Sequence, residues 1–230
     1  MEPPADGWLY HLVHRSFNFI PRRGLTAFAS LLFVAENFYV NKIRPLLGLR
    51  PSEKYFAYRW ILNLLGKGRG RVLDVGIGDS LLFSQLLRQG WEVWAIDLAD
   101  SPVARHPQLR FIRGDLCYAP FTERVFDWII AVSTLEHIGE ESQARLVVRE
   151  LNRLLRESGG MLVTLPLCGA VAERGLRMRE LLAREFSIAR EEYAIAQQGQ
   201  RGWNRISREE TAKVDPKREI IVVHLALKKA

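Results

Sequence analysis

The stretch Arg71-Val72-Leu73-Asp74-Val75-Gly76-Ile77-Gly78-Asp79-Ser80 decides how this chain is read. An apolar run carrying one acid stops at a glycine-spaced turn, and residues 81–87 resume as a helix. That is a strand, a tight turn and a helix N-terminus, the corner at which an open α/β sheet builds a ligand crevice. Gly76 and Gly78 permit a sharp turn and a close approach of backbone to ligand, which a Cβ would obstruct.

Downstream of that corner the helix stops at Gly90, and residues 92–96 form a second apolar strand finishing in Asp97. A loop with Pro102 and Pro107 leads to a third strand, 109–112, ending at Gly114-Asp115. Residues 126–132 make a fourth, nearly continuously apolar as a strand buried on both faces should be, with Asp127 read as structural at its start. A helix over 140–155 is closed by Gly159-Gly160, and 161–165 is a fifth strand stopped by Pro166. This alternation implies a parallel sheet with helices on both faces. The tail reads as an amphipathic helix, 173–185, a strand within 186–196 and another at 220–227. Between those strands lies a polar excursion containing Trp203 and Asn204. The two strands suggest an antiparallel pair at one sheet edge.

Upstream, residues 1–20 pass from Pro3, Pro4 and Gly7 into aromatic and basic residues, with His11 and His14 assigned to the surface. A helix is expected over 25–44, because Thr26, Ser30, Asn37, Asn41 and Arg44 fall near one face and apolar residues fill the others. Pro45 and Gly48 end it. Its apolar face should pack on the main domain, with an interfacial membrane helix or a lid over an apolar substrate as the alternative. Ser52 caps a helix through Leu65, carrying Tyr55, Tyr58 and Arg59 as core or lid residues. Gly66, Gly68 and Gly70 then read as a flexible joint. The division is therefore 1–66, a helical N-terminal extension or lid, and 67–230, the ligand-binding domain.

Composition bounds the function. The 230 residues, 48% hydrophobic, suit one domain with an appendage and a sizeable core. Two cysteines, Cys117 and Cys168, offer neither a disulfide framework nor metal spacing, which makes a reducing, cytoplasmic setting the default. The net charge of +7 is spread along the chain, a mild prior for polyanions such as RNA or anionic lipid. Arg22 and Arg23 precede an apolar run that is too short for a span of about 20 residues and lacks a cleavage site.

What binds at the turn follows from the acids. A dinucleotide site wants a third small residue where this chain has Leu81, and Asp74 would set negative charge near a pyrophosphate. Both features disfavour NAD or FAD. Asp97, about 20 residues after the turn, can accept from both ribose hydroxyls. Asp115 can accept from an adenine amino group, and Asp74 can face an ammonium. An adenosine with a cationic amino-acid tail, S-adenosylmethionine, satisfies all three. Each acid also has a plain alternative, as a helix cap, a strand-end turn residue or an Asx-turn.

The chain resembles the class I S-adenosylmethionine-dependent methyltransferases, in particular the type 11 methyltransferase domain. The resemblance rests on Val72 through Gly78, then Ala95-Ile96-Asp97, Gly114-Asp115-Leu116, and Phe126-Asp127 through Leu135-Glu136-His137-Ile138, with residues 150–166 as a fifth element. It covers roughly residues 70–166 and implies a Rossmann-like, seven-stranded, mostly parallel sheet with an antiparallel last strand. Ser80 departs from the family's usual third glycine. The cofactor-binding residues expected are Asp74, Gly76, Ile77, Gly78, Asp79, Ser80, Asp97, Leu98, Gly114, Asp115, Leu116 and Ser133. Methyl transfer is an in-line displacement, and a base is needed only for a protonated acceptor. His137 is the candidate base, with Glu136 to orient it, against a role for both in capping or packing. No metal is expected. The acceptor is read as a small or lipid-like molecule, motivated by the aromatic and apolar N-terminal extension, with Trp203 and its neighbours as candidate pocket residues and peripheral membrane contact left open. RNA methylation and a non-catalytic S-adenosylmethionine-binding module are the alternatives.

Overall fold

The computed structural model describes residues 25–43, 46, 52–197, 202–214 and 219–229. The readings of residues 1–20 with His11 and His14, of Arg44, of the stop at Pro45 and Gly48, and of residues 198–201 lie outside the described residues.

The described residues hold eight strands, β1 (Arg71–Val75), β2 (Glu92–Asp97), β3 (Arg110–Arg113), β4 (Phe126–Val132), β5 (Leu155–Pro166), β6 (Phe186–Gln197), β7 (Asn204–Ile206) and β8 (Glu219–Lys229). They form one sheet in the order β3-β2-β1-β4-β5-β8-β6-β7. Pairing is parallel from β3 through β5, and β8 is inserted antiparallel between β5 and β6. The expected sheet had seven strands; the eighth is β7, in the stretch read as a polar loop. Residues 204–206 pair antiparallel with Tyr193–Ile195, extending the long β6. A short, polar edge strand of this kind offers little template for further pairing.

Strand alternation divides the core in two. Leu73, Val75, Ile129, Ala131, Met161, Val163 and Leu225 face one layer of helices, α4 (Glu141–Leu154) and α5 (Ala172–Glu185). Val72, Val93, Ala95, Ile130 and Leu162 face the other layer, α1 (Leu25–Phe38), α2 (Glu53–Leu65) and α3 (Leu82–Arg88). α4 presents Val147, Val148, Leu151 and Leu154 to its core at helical spacing. Burying each contributes about 1.5–3 kcal/mol.

Two readings of the N-terminal region change. The polar face expected of α1 turns inward. Thr26 Oγ1 bonds His106 Nε2 at 3.1 Å and also Gln108, while Ser30, 1% exposed, donates to the Ser84 carbonyl. Leu31, Val34 and Phe38 lie on the exposed side instead. Small hydroxyl side chains let α1 approach α3 closely and satisfy their own polar groups there. The helix then widens into a π-helical turn, Tyr39–Ile43.

The glycine joint is a packing device. A Cβ on Gly68 would fall 2.0 Å from the Trp91 ring, and Trp91 Nε1 donates to the Gly66 carbonyl at 3.1 Å. The indole therefore lies directly on the backbone that joins α2 to β1. Asp127 has the structural role assigned to it: it accepts from the Arg71 N–H at 2.8 Å and pairs with Arg156 at 2.5 Å.

Candidate functional site

Strand order reverses between β1 and β4, and an open parallel sheet takes its ligand at such a switch point, beyond the carboxyl ends of the strands. A cavity of about 360 Å³ lies there. Its lining includes Gly76 after β1, Asp97 and Leu98 at the end of β2, Gly114, Asp115 and Leu116 after β3, and Ser133 and His137 after β4. These eight, all expected from the sequence, come together. The other expected residues, Asp74, Ile77, Gly78, Asp79 and Ser80, stand beside the cavity without lining it. Ile77 is 3% exposed and belongs to the α1–α3 core, a packing role that its position in the motif hid.

The glycine turn is built as its φ angles require. Gly76 (φ +73°) donates to the Ile96 carbonyl at 2.8 Å, and a Cβ there would lie 2.2 Å from Thr134 Cγ2. Gly78 (φ +53°) has open space where a Cβ would stand and donates its N–H to Asp97 Oδ2 at 2.9 Å. Asp97 Oδ1 accepts from the Ala99 N–H at 3.0 Å. Each carboxylate oxygen keeps a second lone pair. Asp97 thus holds two loops in place while still able to accept from a ligand. Asp115 Oδ1 likewise accepts from the Cys117 N–H at 2.9 Å, the Asx-turn role, and still lines the cavity. Both acids keep structural hydrogen bonds while lining the cavity.

Ser80 occupies the position of the absent third glycine. Its Oγ accepts from the Leu82 N–H at 3.1 Å at the start of α3 and is hydrogen-bonded with the Tyr58 hydroxyl. The serine therefore ties α2 to the glycine turn. Tyr55 and Tyr58 are 7% and 5% exposed and pack edge-on against each other, so their role is core, with Tyr55 hydrogen-bonded to Glu36.

Ser133 is a non-glycine residue in the left-handed region, φ +48°. Its N–H donates to both the carbonyl and Oγ1 of Thr164, at 3.1 and 3.2 Å, and its Oγ donates to Glu53 Oε1 at 2.8 Å. Such backbone persists only when its surroundings hold it, and it clusters at ligand sites. Glu53 was not singled out from the sequence. It opens α2, 80 residues before Ser133, and no local pattern connects the two. Thr134, whose side chain fills the space left by Gly76, was equally silent.

Burial sets the electrostatics. Asp74, 4% exposed, is pushed up to about 7 by desolvation and then by the charge of Asp97, with Lys54 opposing. Glu136, 1% exposed, is also pushed up to about 7, chiefly by burial, and its Oε2 has no hydrogen-bond partner among the described residues. Burial raises Glu53 as well, against the bond from Ser133 and the charges of Lys54 and His137. Glu136 Oε1 is 3.8 Å from His137 Nε2, whose ring is exposed at the cavity edge. The crevice is acidic on balance, an environment that favours a cationic ligand. Among the described residues, no group of three or more His, Cys, Asp or Glu is placed to hold a metal ion.

Residues 73–163 match the family model described as Methyltransferase domain. The chain is similar to an uncharacterized methyltransferase of Mycobacterium tuberculosis, 33% identical over 99 residues, which are 40% of this chain and 48% of that protein. The chain thus spans about half the length of the curated relatives it matches. Among solved structures, a TehB-like SAM-dependent methyltransferase from Corynebacterium glutamicum superposes with a TM-score of 0.55 at 17% identity, over 76% of this chain and 88% of that one. The N-methyltransferase NodS from Bradyrhizobium japonicum, in complex with S-adenosyl-L-homocysteine, gives a TM-score of 0.56 at 13% identity, over 76% and 87%. Residues 73–163 thus match a methyltransferase domain, and the sheet order is shared with the solved S-adenosylmethionine-dependent methyltransferase on which the chain superposes.

Proposed function

We propose that this chain binds S-adenosylmethionine in the β1/β4 crevice and transfers its methyl group to a small-molecule or lipid-like acceptor. The observation that carries the reading is the convergence of Asp97, Asp115, Gly76 and Ser133 on one cavity of about 360 Å³, within the size range of small-ligand sites. The residues fit the cofactor. The Cβ-less backbone at Gly76 and Gly78 admits close approach, and the crevice is acidic, as a ligand bearing both a sulfonium and an ammonium requires. In this reading Asp97 accepts from the ribose hydroxyls and Asp115 from the adenine amino group. Leu98 and Leu116 supply apolar walls, Gly114 admits the ring edge, and Asp74 stabilises the ammonium. Ile77, Asp79 and Ser80 shape the turn that presents these groups, and Ser133 marks the methyl-donating end.

When bound, S-adenosylmethionine supplies an electrophilic methyl on a positively charged sulfur. The chain's task is to position the acceptor in line, exclude water and, for a protonated acceptor, remove a proton. His137 takes that proton at the cavity edge beside Glu136. The N-terminal extension, residues 1–66, packs its described helices on the sheet and borders the crevice as a fixed cover. Its described part ties to the β4 end through Glu53 and Ser133 and to the turn through Tyr58 and Ser80. The exposed Leu31, Val34 and Phe38 of α1 favour a lipid-like acceptor or a membrane surface as its source. No described helix is long and apolar enough to cross a membrane.

Incubation with S-adenosylmethionine carrying a deuterated methyl group, across panels of hydroxyl, amine, lipid and RNA acceptors, tests the reading by mass spectrometry. Label is expected in a small or lipid acceptor. Label confined to RNA would replace the acceptor class, and cofactor binding without transfer to any panel would make the chain a binding module.

A further inference from the structure

On the α2 side of the sheet, across from the apolar side chains that line the crevice, four rings lie in consecutive contact: Trp203 on Phe56 (5.4 Å, 16°), Phe56 against His224 (5.2 Å) and His224 against Trp60 (4.8 Å). Phe56 and Trp60 belong to α2, His224 to β8, and Trp203 immediately precedes β7. Three ring nitrogens of this cluster, Trp60 Nε1, Trp203 Nε1 and His224 Nε2, are buried with no hydrogen-bond partner among the described residues. Trp60 and His224 are 7% and 1% exposed. Buried polar groups are paired in the great majority of cases, and each exception asks for an explanation. Three in one aromatic cluster are not explained by packing, because phenylalanine would fill the same space without an orphaned donor.

The cluster adjoins the methyl-donating end. His224 is the cross-strand partner of Thr164, the residue that accepts from the Ser133 N–H, and α2 begins at Glu53, which accepts from Ser133 Oγ. Its chemistry is one-sided. An indole nitrogen only donates, and His224, held neutral in the cluster, offers one more donor or acceptor. Glu192, opposite His224 on β6, is paired with Arg190 and Arg205. Glu53 and Glu136 give the neighbouring crevice an acidic character that opposes an anion.

We propose that Trp60, Trp203 and His224 form the acceptor-recognition site, taking an uncharged molecule whose carbonyl or hydroxyl oxygen accepts from the indole N–H groups while its apolar body packs on the four rings. The proposal rests on the methyltransferase reading and narrows its acceptor to an oxygen-bearing apolar molecule. A site built to bond an oxygen discriminates strongly against an analogue that lacks it, because the donors are then left unpaired.

The test uses the full chain labelled with nitrogen-15 at tryptophan, with the Trp60 and Trp203 indole resonances assigned from Trp60→Phe and Trp203→Phe. Acetophenone, ethylbenzene and benzylamine are the probes, in the presence of S-adenosylhomocysteine. Acetophenone is expected to move both indole resonances saturably and to bind about tenfold more tightly than ethylbenzene, with the preference reduced in either Phe variant. Unmoved indole resonances, an equal response to ethylbenzene or benzylamine, or a preference undiminished in both variants would overturn the assignment. S-adenosylhomocysteine binding is read in the same samples. Its retention alongside a failed acetophenone response overturns the acceptor site alone, whereas its absence in folded protein overturns the methyltransferase reading and this site together.

Discussion

Asp74→Asn separates what the fold wants at the end of β1 from what the ligand wants. The Asp74 carboxyl is buried, and desolvation together with Asp97 raises it from 3.8 to about 7. Between those two values the folded state holds a proton that the unfolded chain has released, so stability falls as pH rises through the window. Above about 7 the full cost stands. The ceiling on that cost, 2.303RT times the difference, is about 4 kcal/mol. An uncharged isostere removes most of it, so Asp74→Asn is expected to raise the unfolding free energy at pH 8 by about 1–3 kcal/mol and to change little at pH 4. Binding should move the other way. If the ionised carboxylate holds the ligand's ammonium, wild-type affinity for S-adenosylhomocysteine rises about tenfold from pH 6 to pH 8, as the ionised fraction grows from about one tenth to about nine tenths. Glu136 titrates in the same window, so the slope should vanish in Asp74→Asn and survive in Glu136→Gln. Urea denaturation at both pH values and calorimetry on the three proteins read the two effects. A variant no more stable at pH 8, or a wild-type affinity independent of pH, would refute the reasoning.

Two further predictions address the turn and the base. Gly76→Ala places a Cβ 2.2 Å from Thr134 Cγ2 at φ +73° and should cost about 2–4 kcal/mol of stability. Gly78→Ala, at φ +53° with open space, should cost only about 1–2 kcal/mol, and equal losses in urea denaturation would contradict the packing account. His137→Ala should lower turnover by about 100-fold while leaving S-adenosylhomocysteine affinity within about twofold, as measured by initial rates and calorimetry. Turnover preserved in the variant would return His137 to a structural role.

The parts of this molecule written in local pattern were legible in the sequence. The strands β1 to β5, the glycine turn and the acids at the strand ends follow from short apolar runs stopped by Gly, Asp, Ser or Pro. β5, however, starts at Leu155 and takes in Gly159 and Gly160, which the sequence offered as a helix stop. The sheet's alternation then brings the strand ends to one crevice. What escaped was set by distant packing. The Glu53–Ser133 bond joins residues far apart in the chain, and no periodicity announces it. The sequence puts Thr26 and Ser30 on the polar face of α1 and expects its apolar face to pack, yet both hydroxyls find partners on the neighbouring elements and the apolar Leu31, Val34 and Phe38 face out. Gly68 suggested flexibility, when the reason for a missing side chain there is the Trp91 ring. The strand β7 was hidden because a polar edge strand carries no apolar alternation. The charge of the chain was equally ambiguous, since Arg71, Arg110, Arg113, Arg145, Arg153 and Arg179 are all engaged by acids.

The central claim is that the β1/β4 crevice holds an adenosine through Asp97. Calorimetric titration of the wild-type chain and of Asp97→Asn with S-adenosylhomocysteine tests it most directly. One site per chain is expected for the wild type, with affinity about tenfold to 100-fold weaker in the variant, the loss that follows from replacing a charged acceptor of two hydroxyls. No binding to folded wild-type protein, or the same affinity in both, would contradict it.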